Sequence, residues 1–107
     1  MNKQPFFELK PDTVLYAVES LGYLSDGRIM ALNSYENRVY QVGIDEKTPL
    51  IAKFYRPQRW SDEQVLEEHQ YMYELVEQEL SVLAPIKNAN GDSLFSYEDF
   101  RFSLFER

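Results

Sequence analysis

Leu50-Ile51-Ala52-Lys53-Phe54-Tyr55-Arg56-Pro57, with Arg59-Trp60-Ser61 and Leu66-Glu67-Glu68-His69 close behind it, joins a strand to a helix. Side chains alternate along a strand, so Ile51, Lys53 and Tyr55 share one face and Leu50, Ala52 and Phe54 the other. Pro57 has no N–H to give to a ladder and ends the strand. Ser61, with Gln64 three residues later, is a capping box that opens the strongest helix of the sequence, at about 62–80. Leu66, His69, Tyr73, Val76 and Leu80 recur along it at helical steps, widened by Val65 and Met72, so one broad stripe faces a core.

Working back from this stretch, Arg28 to Asn33 and Arg38 to Ile44 read as two further strands, separated by the polar segment Ser34-Tyr35-Glu36-Asn37. Ser25-Asp26-Gly27 and Asp45-Glu46-Lys47-Thr48-Pro49 read as turns, which makes a three-stranded antiparallel meander. Before it, Asp12-Thr13 offers N-cap chemistry for a short helix at about 13–21, with Val14, Ala17, Val18 and Leu21 on one side and Gly22 as the stop. After the long helix, Ala84 to Ala89 and Ser93 to Tyr97 flank Asn90-Gly91-Asp92, a hairpin signal, and Phe100, Phe102 and Leu104 alternate in a last strand. The expected fold is α+β, an antiparallel sheet of about five strands with one long and one short helix.

Length and composition narrow the chemistry. At 107 residues the chain is a single domain, and 44% hydrophobic and 15% aromatic content supplies a core rather than disorder. Eleven Lys and Arg against 18 Asp and Glu give a net charge of -7, which disfavours nucleic acid as a partner. With no cysteine there is no disulfide, thiolate nucleophile or zinc-thiolate site, and the lone His69 reads as a core histidine rather than a metal ligand. No apolar run approaches the about 18 residues of a membrane span, and the N-terminus lacks a signal's apolar stretch, so no membrane partner and a cytoplasmic location are expected. The chain stops in an apolar strand pattern at Phe102-Ser103-Leu104-Phe105, as a fragment would.

The candidate chemistry centres on Lys53. A charge among strand neighbours this apolar is costly unless something pairs with it. The helix that follows carries Glu67 and Glu68 in its second turn. At 100° per residue, Glu68 lies roughly 95° from the centre of the apolar stripe and Glu67 roughly 165°, so Glu68 is the one able to reach the sheet. A strand lysine held by a helix glutamate is how kinases place an ammonium against the phosphates of ATP. The other reading is that Lys53 snorkels to solvent at a sheet edge and Glu68 is merely solvated. Upstream, the glycine-free turn around Ser34 and Asn37 stands where a phosphate-covering loop belongs. Both side chains can donate hydrogen bonds there, or the segment is a plain hairpin turn. Arg56, Arg59 and Trp60 form a basic-aromatic patch that either meets a phosphate or braces the strand-to-helix corner.

Taken together, Leu32-Asn33-Ser34-Tyr35-Glu36-Asn37-Arg38-Val39-Tyr40-Gln41, Lys53-Phe54-Tyr55-Arg56-Pro57, Arg59-Trp60-Ser61 and Leu66-Glu67-Glu68-His69 resemble the bacterial stress response kinase A family. These are serine/threonine kinases whose fold is similar to aminoglycoside phosphotransferases and choline kinase. The resemblance runs from about Leu9 to Phe105 and covers only the family's protein-kinase-like N-terminal lobe. It implies an ATP- and magnesium-dependent transfer of the γ-phosphate to protein Ser or Thr, in a cytoplasmic stress-response enzyme. Carried over by position, Ser34 matches an ATP-contacting serine, Lys53 the strand lysine and Glu68 the helix glutamate. The family's catalytic aspartate and metal ligands belong to a C-terminal lobe that nothing in these residues matches. The implied partners are ATP, protein substrates and that lobe, and these 107 residues alone are expected to be inactive. The competing reading is a non-catalytic acidic α+β module that binds a protein partner through an exposed face.

Overall fold

The structure, a computed structural model, describes residues 9–32, 37–57, 59–79 and 83–107. Along the chain come α1 (Pro11–Glu19), β1 (Ser25–Leu32), β2 (Arg38–Ile44), β3 (Lys47–Tyr55), α2 (Asp62–Glu77), β4 (Phe95–Tyr97) and β5 (Phe100–Glu106). All strand pairs are antiparallel, in the order β1-β2-β3-β5-β4. The expected α+β class, five strands and two helices are present.

Local chemistry moves several boundaries. α1 starts at Pro11, earlier than the expected Asp12-Thr13 cap: Lys10 is the N-cap without a side-chain bond. Pro11 presets the helical φ where no N–H is needed, and Asp12 then sits in the first turn against the positive end of the helix. Ser25-Asp26-Gly27 is not a turn but a bulge inside β1, where the pairing jumps from Ser25↔Ile44 to Ile29↔Val42. The Asp26 carboxylate organises it, accepting from the Arg28 N–H at 2.9 Å and from its guanidinium at 2.8 Å. Gly43 lies opposite, where a Cβ would collide with that carboxylate.

The β2–β3 turn is only Asp45-Glu46, since Ile44 already pairs with Lys47. Pro49 lies within β3 at a register shift between Ile44 and Val42, where its missing N–H costs no ladder bond. The Asn90-Gly91-Asp92 turn is real, with Asn88 N–H donating to the Asp92 carbonyl at 2.9 Å. Of its flanks, Ser93 to Tyr97 is a strand only at Phe95–Tyr97, which is β4 and pairs with β5, and residues 84–89 are not a strand. Asn88 Oδ1 takes the N–H groups of Asn90 and Asp92, and residues 84–89 reach the sheet through a bond from Ile86 N–H to the Leu104 carbonyl.

In α2 the capping box is formed: Ser61 Oγ accepts from Gln64 N–H at 3.1 Å and Gln64 Oε1 from Ser61 N–H at 2.9 Å. The buried edge differs from the expected stripe. Val65 and His69 are buried, whereas Leu66 and Val76 are 45% and 43% exposed. The buried edge is the one that carries His69, whose ring is hydrogen-bonded to Tyr55 of the sheet. Leu80 lies outside the described residues.

The register divides the sheet into two faces. One carries Tyr40, Ala52 and Leu104 in one row and Phe54, Phe102 and Phe95 in the next, packed with Val14, Ala17 and Val18 of α1. Phe54 is its centre, stacked on Phe102 at 4.9 Å and edge-on to Tyr40 and Phe100 at 6.3 and 6.4 Å. The other face carries the rows Leu32–Val39–Lys53–Ser103 and Met30–Gln41–Ile51–Phe105. α2 meets its Tyr55–Ser103 end, while Leu32, Val39, Ile51 and Phe105 stay only partly buried.

Candidate functional site

Strand alternation puts Lys53 on the partly open face, cross-strand from Val39 on β2 and Ser103 on β5. It sits mid-strand in the central strand of the sheet, not at an edge. Its ammonium lies 5.4 Å from the ring centroid of Tyr55, the next residue on the same face, a cation–π distance. Lys53 and Glu68 line one cavity of about 180 Å³, together with Asn37, Tyr55, Trp60, Gln64 and Val65. The strand and the helix therefore bring the two expected residues together. They do not form an ion pair within 4.0 Å; among the described residues Asp26–Arg28 and Asp62–Arg101 do. Glu68 is exposed on the rim. Taking the bisector of Val65 and His69 as the buried direction, it stands about 80° around the helix.

Asn37 also reaches this cavity. Its Oδ1 accepts from Arg56 N–H at 3.0 Å, which ties the start of β2 to the end of β3 and leaves the amide N–H groups as its donors. Ser34 lies outside the described residues. The basic-aromatic patch divides: the Arg59 guanidinium stacks 4.4 Å from the Trp60 ring, and Trp60 forms a wall of the cavity. Among the described residues no three His, Asp or Glu side chains converge as metal ligands.

Two polar connections that sequence reasoning missed set how α2 lies on the sheet. Arg101 of β5 donates to the Trp60 carbonyl at 2.6 Å and to the Asp62 carboxylate, pinning the first turn. Deeper in, Tyr55 OH lies 2.9 Å from His69 Nε2 and 2.8 Å from Ser103 Oγ, and His69 Nδ1 lies 2.8 Å from Ser93 Oγ. Burial pushes the Tyr55 phenol up to about 12, with the Ser103 hydrogen bond opposing and the Glu68 charge adding. Burial also lowers the His69 pKa from its ordinary value; Glu68 opposes that shift and the Lys53 charge reinforces it. The signal was available in part: Tyr55 on the Lys53 face and His69 on the apolar helix stripe are both polar groups that must find partners when buried.

Known proteins resemble this chain over most of its length. Stress response kinase A of Shigella flexneri is 44% identical over 100 residues, covering 94% of this chain and 30% of that protein. Stress response kinase A of Escherichia coli (strain K12) is 43% identical over the same length, and the serine/threonine protein kinase RdoA of Salmonella typhimurium 40% over 104 residues, covering 97% of this chain and 31% of its own. The chain thus spans about 30% of the length of these curated relatives. Among solved structures, amicoumacin kinase hAmiN in complex with AMP-PNP, Ca2+ and Ami shares the fold, with a TM-score of 0.76 over 90% of this chain and 30% of that one, at 23% identity. Residues 28–107 match the phosphotransferase enzyme family, APH, and by that match the chain belongs to this family.

Proposed function

We propose that residues 1–107 are the nucleotide-covering N-terminal lobe of an ATP-dependent serine/threonine protein kinase of the stress response. The observation that carries this reading is the meeting of Lys53 and Glu68, from two different elements, in one cavity beside a partly open apolar sheet face. Leu32, Val39, Ile51 and Phe105 offer a surface for a purine, and Lys53 at its end offers a compact positive charge for the α and β phosphates. In this reading bound nucleotide draws Glu68 onto Lys53, and Ser34 and Asn37 close over the phosphates. Magnesium, the catalytic carboxylate and the acceptor Ser or Thr of a protein substrate belong with the remaining lobe. Support for that lobe comes from relatives more than three times the length matched.

A cytoplasmic location belongs to the same proposal, as does the absence of nucleic-acid and membrane partners. The net charge of -7 disfavours nucleic acid, and among the described residues no helix is long and apolar enough to cross a membrane. Phosphoryl transfer needs metal ligands and a residue that orients the acceptor, besides the lysine clamp, so these residues alone are not expected to turn over. The test is to incubate the full-length protein with magnesium, γ-labelled ATP and a general protein acceptor, beside Lys53→Ala and the 107-residue chain. Label should reach Ser or Thr with the full-length protein only; equal transfer by Lys53→Ala, or none by the intact protein, would sink the proposal.

A further inference from the structure

Four polar side chains form a hydrogen-bonded row from the sheet into α2 that the proposed phosphate chemistry leaves unused. Ser103 on β5, Tyr55 on β3, His69 on α2 and Ser93 before β4 are linked at 2.8, 2.9 and 2.8 Å. Their exposures are 0, 2, 1 and 5%. Among the described residues no buried side-chain N or O lacks a partner, so the row is fully satisfied. Apolar packing would hold a helix to a sheet more simply, but it tolerates sliding and rolling. A buried hydrogen bond does not, because a small displacement leaves both groups unpaired in a low dielectric.

The position of the row in the chain gives it a role. Tyr55 is two residues beyond Lys53 on the same strand face, and His69 is the residue after Glu68. Arg101 holds the first turn of α2 through Trp60 and Asp62, and the Tyr55–His69 bond holds it again about two turns further on, beside Glu68. The roll decides where Glu68 points: about 30° of it carries a side-chain tip by about 3 Å, given a helix radius of about 6 Å including side chains. We infer that Tyr55 and His69 are positioning residues whose hydrogen bond sets the roll of α2 and so holds Glu68 at the cavity it shares with Lys53. This rests on the phosphotransfer role proposed above for Lys53 and Glu68.

The test is a double-mutant cycle in the full-length protein. Tyr55→Phe, which keeps the ring, and His69→Leu, which keeps the apolar volume, should each lower kcat/KM for ATP about tenfold or more. His69→Gln, whose amide can still bond the Tyr55 hydroxyl, should recover most of the loss. In a Glu68→Ala background, Tyr55→Phe should cost less than about twofold, because the residue it positions is gone. Equal losses in both backgrounds, or no loss in either, would overturn the inference by assigning the row to packing alone. If His69→Leu fails to fold, Tyr55→Phe in the two backgrounds decides the matter by itself. Should the intact protein transfer no phosphate, the functional proposal fails by itself and the positioning role is judged from crystal structures of the wild type and Tyr55→Phe. Glu68 moved away from Lys53 in the variant supports it, and an unmoved α2 overturns it.

Discussion

Tyr55 and His69 share a 2.9 Å hydrogen bond between the strand that carries Lys53 and the helix that carries Glu68, and both are almost wholly buried. It is a structural tie at the same place as the candidate chemistry, which makes stability and site geometry readable in the same variants. Removing the Tyr55 hydroxyl leaves one nitrogen of His69 and one bond of Ser103 without a partner. Tyr55→Phe should therefore destabilise the fold by about 1–3 kcal/mol. Urea unfolding followed by circular dichroism measures this, and an unchanged midpoint would mean that water replaces the hydroxyl.

His69 makes the stability depend on pH in a defined direction. Its folded-state pKa lies below the ordinary 6.5, through burial first and then, against the pull of Glu68, through the Lys53 charge. Below pH 6.5 the unfolded chain takes up a proton that the folded chain refuses, so this contribution is whole above 6.5 and is lost as pH falls through the folded value. The slope is at most about 1.4 kcal/mol per pH unit for one group. Melting temperatures between neutral and mildly acidic pH should fall in the wild type and flatten in His69→Gln; parallel curves would assign the slope to other groups.

Ser61→Ala removes one half of the capping box that starts α2. A cost of about 1 kcal/mol is expected, with amide hydrogen exchange rising first at Gln64, whose N–H donates to the serine. Loss of protection spread evenly over the domain would mean that the cap is not local to the helix start.

Gly43→Ala places a methyl group against the Asp26 carboxylate that organises the β1 bulge. The carboxylate must move and release Arg28, so the variant should melt lower than the wild type. Asp26→Ala should suppress that difference, because nothing is then left to collide. Additive penalties in the double variant, measured by thermal unfolding, would place the strain elsewhere.

Legibility in the sequence followed the physics of each element. Arg38–Ile44 was readable to the residue because its alternation meets no competing chemistry, and α2 was announced by Ser61 and Gln64. Lys53 and Glu68 were picked out as a pair because one is a charge in an apolar strand and the other sits on the margin of a helical stripe, and both line one cavity. The β1 bulge was not legible: Ser25-Asp26-Gly27 has turn composition, and only its partner Gly43, far along the chain, makes room for it. Residues 84–89 read as a strand because the side-chain bonds of Asn88, which compete with a ladder, leave no trace in periodicity. The true roll of α2 was hidden for the same reason. The buried edge carries His69, whose ring is hydrogen-bonded to Tyr55, 14 residues away, while Leu66 of the apolar stripe is exposed.

The most direct measurement of the central claim is a crystal structure of the full-length protein with magnesium and a non-hydrolysable ATP analogue. The purine should lie against Ile51 and Phe105, with the Lys53 ammonium within about 3 Å of an α- or β-phosphate oxygen and the Glu68 carboxylate closed to within about 4 Å of that ammonium. Phosphates bound without Lys53, or Glu68 still on the rim with nucleotide in place, would contradict it.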